Sequence, residues 1–145
     1  MYKRILVPVD GSEPAAKAAL HGAELASKLG AEVLLFHVVP SLPSYMESSP
    51  GRFSSVQRTI MDEFCKHGQE ILNRVKDDIA AYGLNISTDI TVGHPADEIC
   101  KKVKKSKCDL LIIGSRGLGE IKGILMGSVS NRVARHAECP VLIVR

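Results

Sequence analysis

Tryptophan is absent from this chain, and aromatic residues make up only 4% of it. Platforms for stacking single-stranded bases are therefore scarce. The net charge is +3, too small to argue for a nucleic-acid partner. The longest apolar segment, Val33 to Val39, is interrupted by His37 and is far too short to span a membrane. The start, MYKRILVPVD, lacks signal-peptide architecture. Cys65, Cys100, Cys108 and Cys139 include no CxxC pair. They read as reduced thiols of a cytoplasmic protein, small hydrophobes rather than metal ligands.

Known nucleotide motifs are missing too. There is no GxxxxGK[ST] phosphate loop. A dinucleotide GxGxxG belongs after the first strand, where the chain has Asp10-Gly11-Ser12. Gly117-Leu118-Gly119 echoes it in part, but Lys122 stands where the third glycine belongs. Neither an HxGH nor an SGGxDS run is present, which argues against adenylating relatives.

What is present is ordinary globular composition over 145 residues, 45% apolar and 24% charged. That length predicts a single domain over 1–145 with a sizeable core. The chain alternates strands and helices. Strand 1 is expected at about 3–9, ending on Pro8, Val9 and Asp10. Ser12 is a plausible cap and Pro14 suits the first turn of a helix. Ala16, Leu20, Ala23 and Ala26 keep helical spacing, and Gly30 ends that helix. Strand 2 is expected at Glu32–Val38, and Val39–Arg52, with three prolines and four serines, as a loop. A long helix then carries Val56, Ile60, Phe64, Ile71, Val75, Ile79 and Tyr82 on one face up to Gly83.

Strand 3 is expected at Ile86–Val92, a short helix with Ala96, Ile99, Cys100 and Val103 inward, and strand 4 at Asp109–Ile113. The outer face of that helix holds Lys101, Lys102, Lys104 and Lys105, followed by Lys107. A solvated face suiting the helix C-terminus explains these lysines better than a nucleic-acid patch. A last helix at about Ser128–His136 leads to strand 5, Val141–Val144. Apolar strands separated by helices predict a five-stranded parallel sheet covered on both faces. Order 3-2-1-4-5 puts a switch point between strands 1 and 4, where ligands bind in such sheets.

The segment DLLIIGSRGLGEIKGILMGSVS, Asp109 to Ser130, leaves strand 4 and enters the last helix. Its glycines let backbone lie close to a ligand, and a helix start offers open N–H groups to phosphate. Arg116 adds a permanent positive charge. Ser128 and Ser130 offer hydroxyls, although Ser128 could equally be an N-cap. Asp10 can accept from ribose hydroxyls or face a phosphate-bound Mg²⁺ through water; as a turn-and-cap residue it is read equally well. His37 and His94 read as structural.

The spacing Gly114-x2-Gly117-x9-Gly127-Ser128, the start ILVPVDGSEPA and the end CPVLIV resemble the ATP-binding branch of the universal stress protein family. The resemblance covers essentially the whole chain. It implies a Rossmann-like fold of the adenine nucleotide alpha hydrolase-like type. It implies that Asp10 is the acidic residue after strand 1, and that the backbone of Val38 meets adenine. Ile113, Gly114, Arg116 and Gly117 match the first half of a phosphate loop; Gly127, Ser128, Val129 and Ser130 match the second. ATP is the implied ligand, with Mg²⁺ held by its phosphates. The expected function is a nucleotide-dependent stress regulator with little or no turnover. A slow ATPase or phosphotransfer enzyme, and an interaction module without nucleotide, stay open as alternatives. Strand 5 is an uncharged apolar edge, which invites a two-fold homodimer through Val141, Leu142, Ile143 and Val144, as the resemblance also implies.

Overall fold

The computed structural model describes residues 1–42, 52–118 and 126–145, with the side chains of 52–54 set aside. Its elements are β1 (Arg4–Pro8), α1 (Glu13–Leu29), β2 (Glu32–Pro40), α2 (Arg52–Asp78), β3 (Ile86–Gly93), α3 (Pro95–Lys105), β4 (Leu110–Gly114), α4 (Ser128–His136) and β5 (Val141–Val144). The strands form one sheet in the order β3-β2-β1-β4-β5, and every pairing is parallel. This is the order expected from the sequence.

Alternation along the strands divides the core in two. Ile5, Val7, Val33, Leu35, Leu110 and Ile112 pack with α1 and α2. Leu6, Leu34, Phe36, Leu111 and Ile113 pack with α3 and α4. Burying both faces explains why these strands read as apolar runs rather than alternating ones.

The helices correct several expectations. The inward stripe of α1 is Ala15, Ala18, Ala19, Gly22, Ala23 and Ala26, while Leu20 points outward, 44% exposed. These small residues let α1 lie close to the sheet: a Cβ on Gly22 would sit 3.0 Å from Val7. Of the apolar residues whose side chains are described in α2, only Ile71, Leu72 and Val75 are buried, and Ile79 is buried just past its end. Val56 and Phe64 are 53% and 48% exposed. The reason is length, since 27 residues of helix run to roughly 40 Å and outreach the sheet. Tyr82 lies in a 3₁₀ turn, Ala80–Tyr82, and Gly83 closes it at φ 65°.

β2 continues two residues past its expected end. Beyond the Pro8–Phe36 pair it has β3 alone as a partner, through to Pro40–Gly93. A proline is tolerated where one side carries no ladder. β4 begins at Leu110; the side chain of Asp109 instead accepts from the N–H groups of Lys3 and Arg4, at 2.9 and 3.0 Å. Of the expected 39–52 loop, residues 43–51 lie outside the described part, as do Gly119, Lys122 and Gly123.

The lysines of α3 have carboxylate neighbours. Lys101 pairs with Glu98 and Lys104 with Glu138. Lys102 is no outer residue: it pairs with Asp89 and lies 5.6 Å from the centroid of the Phe36 ring. No described helix is long and apolar enough to cross a membrane.

Candidate functional site

Strands β1 and β4 are adjacent, yet the helices that follow them cover opposite faces. The crevice this opens at their C-terminal ends holds a cavity of about 270 Å³. Pro8, Val9 and Asp10 reach it from β1, and Val38 from β2. Ile113, Gly114, Arg116 and Gly117 reach it from the end of β4, and Gly127, Val129 and Ser130 from the start of α4. Ser128 does not line it; it is exposed on the first turn of α4.

One wall is apolar. Phe36, Val38 and Pro40 share a face of β2, and Pro95 and Ile99 come from the first turns of α3. Sequence reading assigned only Val38 among them to the site and expected Ile99 merely as an inward residue of its helix. The missed signal was periodicity: positions 36, 38 and 40 alternate on a strand, and 95 and 99 are one helical turn apart.

The other wall offers donors. In α4 the N-cap is Gly127, and no side chain caps the helix among the described residues. Ser128 is therefore not the cap. The first intrahelical bond is Asn131 N–H to Gly127 O, 2.9 Å. The N–H groups of Ser128, Val129 and Ser130 precede it and are left open by helix geometry. They stand at the positive end of the helix, where an anion is favoured. Arg116 is the only lysine or arginine among the described lining residues.

Ser130 corrects a further expectation. It is buried, and its hydroxyl donates to Gly114 O at 2.7 Å. That proton ties α4 to β4, so Ser130 brings its amide rather than its hydroxyl proton to the cavity. Gly127 N–H adds a second tie to Ser115 O, 2.6 Å. Gly114 is likewise explained by the fold. A Cβ there would lie 2.7 Å from the carbonyl carbon of Pro14 and 2.8 Å from its oxygen. The start of α1 passes over this residue, which is why only glycine fits.

Asp10 is the only carboxylate among the described lining residues. Its Oδ1 accepts from Ser12 N–H at 2.9 Å and its Oδ2 from Leu118 N–H at 3.2 Å. Ser12 caps α1, its hydroxyl accepting from Ala15 N–H. His37 also lines the cavity; it is buried, and its Nδ1 lies 2.7 Å from Val9 O, a donor to that carbonyl. His94 lies outside, at the N-cap of α3, 3.8 Å from Asp97. No cluster of metal-ligating side chains occurs among the described residues.

An open parallel α/β sheet with an apolar slot and free amides at its switch point defines a class of small-ligand binders that favour an anionic group. Comparison with known proteins narrows the class. The model of the universal stress protein family matches residues 1–145. A universal stress protein of Methanocaldococcus jannaschii is 36% identical over all of this chain and 83% of its own length. Universal stress protein YxiE of Bacillus subtilis is 34% identical over the full length of both. The chain belongs to the universal stress protein family.

Solved structures agree. Universal stress protein UspA from Lactobacillus plantarum superposes with a TM-score of 0.89 at 25% identity, covering 99% of this chain and 98% of that one. A universal stress protein in complex with cAMP gives 0.74 at 30% identity, covering 99% and 97%. A family member from Arabidopsis thaliana with AMP bound gives 0.69 at 27% identity, covering 98% and 90%.

Proposed function

We propose that this protein binds ATP in the switch-point cavity and acts as a dimeric, nucleotide-dependent stress regulator with little or no turnover. The observation that carries the reading is convergence. An apolar slot, the open helix amides of Val129 and Ser130, and Arg116 meet at one cavity, although they come from segments far apart in sequence. The cAMP and AMP complexes of similar proteins support an adenine nucleotide as the class of ligand. The base fits between Phe36, Val38, Pro40 and Ile99, with the Val38 backbone at its edge. The phosphates fit the amides of Ser128, Val129 and Ser130, with Gly127 and Arg116 beside them. Mg²⁺ would be held by the phosphates, and Asp10 is the one carboxylate among the described lining residues to face it through water.

Low turnover is supported by the state of Asp10. Hydrolysis needs a group that orients or deprotonates water. Asp10 is the one carboxylate among the described lining residues, and each of its oxygens already accepts a backbone N–H, which leaves it less free to turn toward a water. The four free thiols suit a reducing cytoplasm.

The test is the nucleotide content of the purified protein. Denaturation followed by anion exchange should release ATP in near-stoichiometric amount. A preparation without nucleotide that gives no heat on titration with Mg-ATP would overturn the reading; mostly ADP would favour a slow ATPase. Dimerisation is supported by the position of β5 at the sheet edge, with Leu142 42% exposed. Val141 and Ile143 pack against the α3 and α4 face, so the informative variant is Leu142→Lys. It should elute as a monomer; an intact dimer would remove this interface.

A further inference from the structure

Both oxygens of Asp10 hold backbone, but the two bonds do different things. The bond from Ser12 N–H is local and shapes the turn into α1. The bond from Leu118 N–H spans 108 positions and ties the end of β1 to the segment that follows β4. The residue before Leu118 shows how tight that tie is. A Cβ on Gly117 would lie 2.7 Å from the same Oδ2. Gly117 has no left-handed φ. The backbone does not require glycine there, but any Cβ would have to push the end of the carboxylate aside. Both oxygens are already engaged by backbone, which gives the carboxylate a structural role whether or not a phosphate is present.

We propose that Asp10 is a positioning residue for the phosphate loop. Its carboxylate clasps the Leu118 amide and seats against Gly117, which holds the Gly114–Leu118 segment at the cavity and keeps Arg116 on the phosphate side. The functional consequence rests on the nucleotide reading above; the clasp itself is a property of the chain without ligand.

The test uses Asp10→Asn, Asp10→Ala, Gly117→Ala and the double variant Asp10→Ala/Gly117→Ala. Asparagine keeps one acceptor oxygen for Ser12 and turns its amide group toward Leu118, where two donors oppose. In protein without nucleotide, Asp10→Asn should speed hydrogen exchange of the Leu118 amide about 10-fold, as loss of a hydrogen bond to a charged group implies. Gly117→Ala, which pushes the carboxylate aside, should do the same. Unchanged exchange in both variants overturns the clasp.

Calorimetry with ATP and with adenosine then tests positioning. Asp10→Asn should weaken ATP about 10-fold and leave adenosine within about 2-fold, because the clasp serves the phosphates. Equal losses for the two ligands would put Asp10 on the ribose and overturn the positioning role. Gly117→Ala should weaken ATP about 10-fold alone but within about 2-fold in the Asp10→Ala background, where nothing is left to displace. Additive losses also overturn it. If the unaltered protein binds neither ligand, the nucleotide reading falls, and the exchange of Leu118 still decides whether the clasp exists.

Discussion

At the end of the sheet where the strands begin, Gly30 closes α1 and Gly83 closes the 3₁₀ turn, with φ of 66° and 65°. A Cβ on either would meet nothing within 4 Å among the described residues. At the end where the strands finish, Gly114 and Gly117 have no left-handed φ. A Cβ on either would fall 2.7 Å from a neighbour that is remote in sequence. These four glycines thus serve conformation at one end and space at the other, while Gly11, after β1, is left-handed at φ 88° and answers a conformational need at the second end as well. Conformation is a local need that asparagine can approximate. Space binds distant segments together, and no other side chain supplies it. The cavity end is therefore the end where single substitutions propagate.

The largest effect that would test this contrast is at Gly114. The atoms in the way are backbone of α1 and cannot rotate aside. Gly114→Ala should destabilise by about 3 kcal/mol, the upper range for overpacking, and lower the melting temperature by roughly 10 °C. Nucleotide loss in Gly114→Val would then report on the fold as much as on the ligand. A melt of Gly114→Ala within about 2 °C of the unaltered protein would break the comparison.

The other end yields a pH effect instead. Cys108, just before β4, is buried, and burial pushes its thiol up from an ordinary value near 9.0 to about 11, against a smaller pull from Arg4. The sign follows from linkage: between those values the unfolded chain releases the thiol proton and the folded chain keeps it. Stability is therefore flat below pH 9.0 and falls as pH rises toward about 11. The loss should approach about 2 kcal/mol, with Cys108→Ala showing a flatter alkaline profile. Equal slopes in both proteins would contradict the burial argument.

How much of this was legible follows the same division. The five strands and their parallel sheet could be read from apolar runs separated by helices, because burial of both sheet faces leaves a strong pattern; the order 3-2-1-4-5, and with it the switch point between β1 and β4, comes from the doubly wound class. Gly30 and Gly83 could be read as caps, since conformational glycines sit where a helix pattern stops. The reasons for Gly114 and Gly117 could not, because Pro14 and Asp10 are about 100 positions away and nothing local marks the contact. The apolar wall was half visible: Val38 was named, and Phe36 and Pro40 were left in a strand and a loop. Leu20 misled because helical spacing alone does not say which side faces the sheet, and Phe64 because it does not say how far the sheet extends.

Ser130 sharpens the contrast at smaller scale. Its hydroxyl proton is spent on Gly114 O in a buried pair. Ser130→Ala leaves that carbonyl without its donor and should cost about 1–2 kcal/mol. If the hydroxyl serves the fold and the amide serves phosphate, affinity for ATP in the folded variant should change by no more than about 3-fold. A 100-fold loss without a stability change would return the hydroxyl to the ligand.

The smallest effect belongs to the conformational end. Gly30 leads α1 into β2, and its N–H donates to Ala26 O. Alanine there meets no atom but must hold a left-handed backbone, a cost of about 1 kcal/mol. Asparagine visits that region more readily and should recover part of the loss. Since no distant segment depends on Gly30, neither variant should alter exchange at Leu118 or affinity for ATP. A stability loss confined to the melt would show that the two ends are energetically separate. Altered ATP affinity in Gly30→Ala would mean that the sheet transmits strain along its full length, and the division drawn between its ends would have to be abandoned.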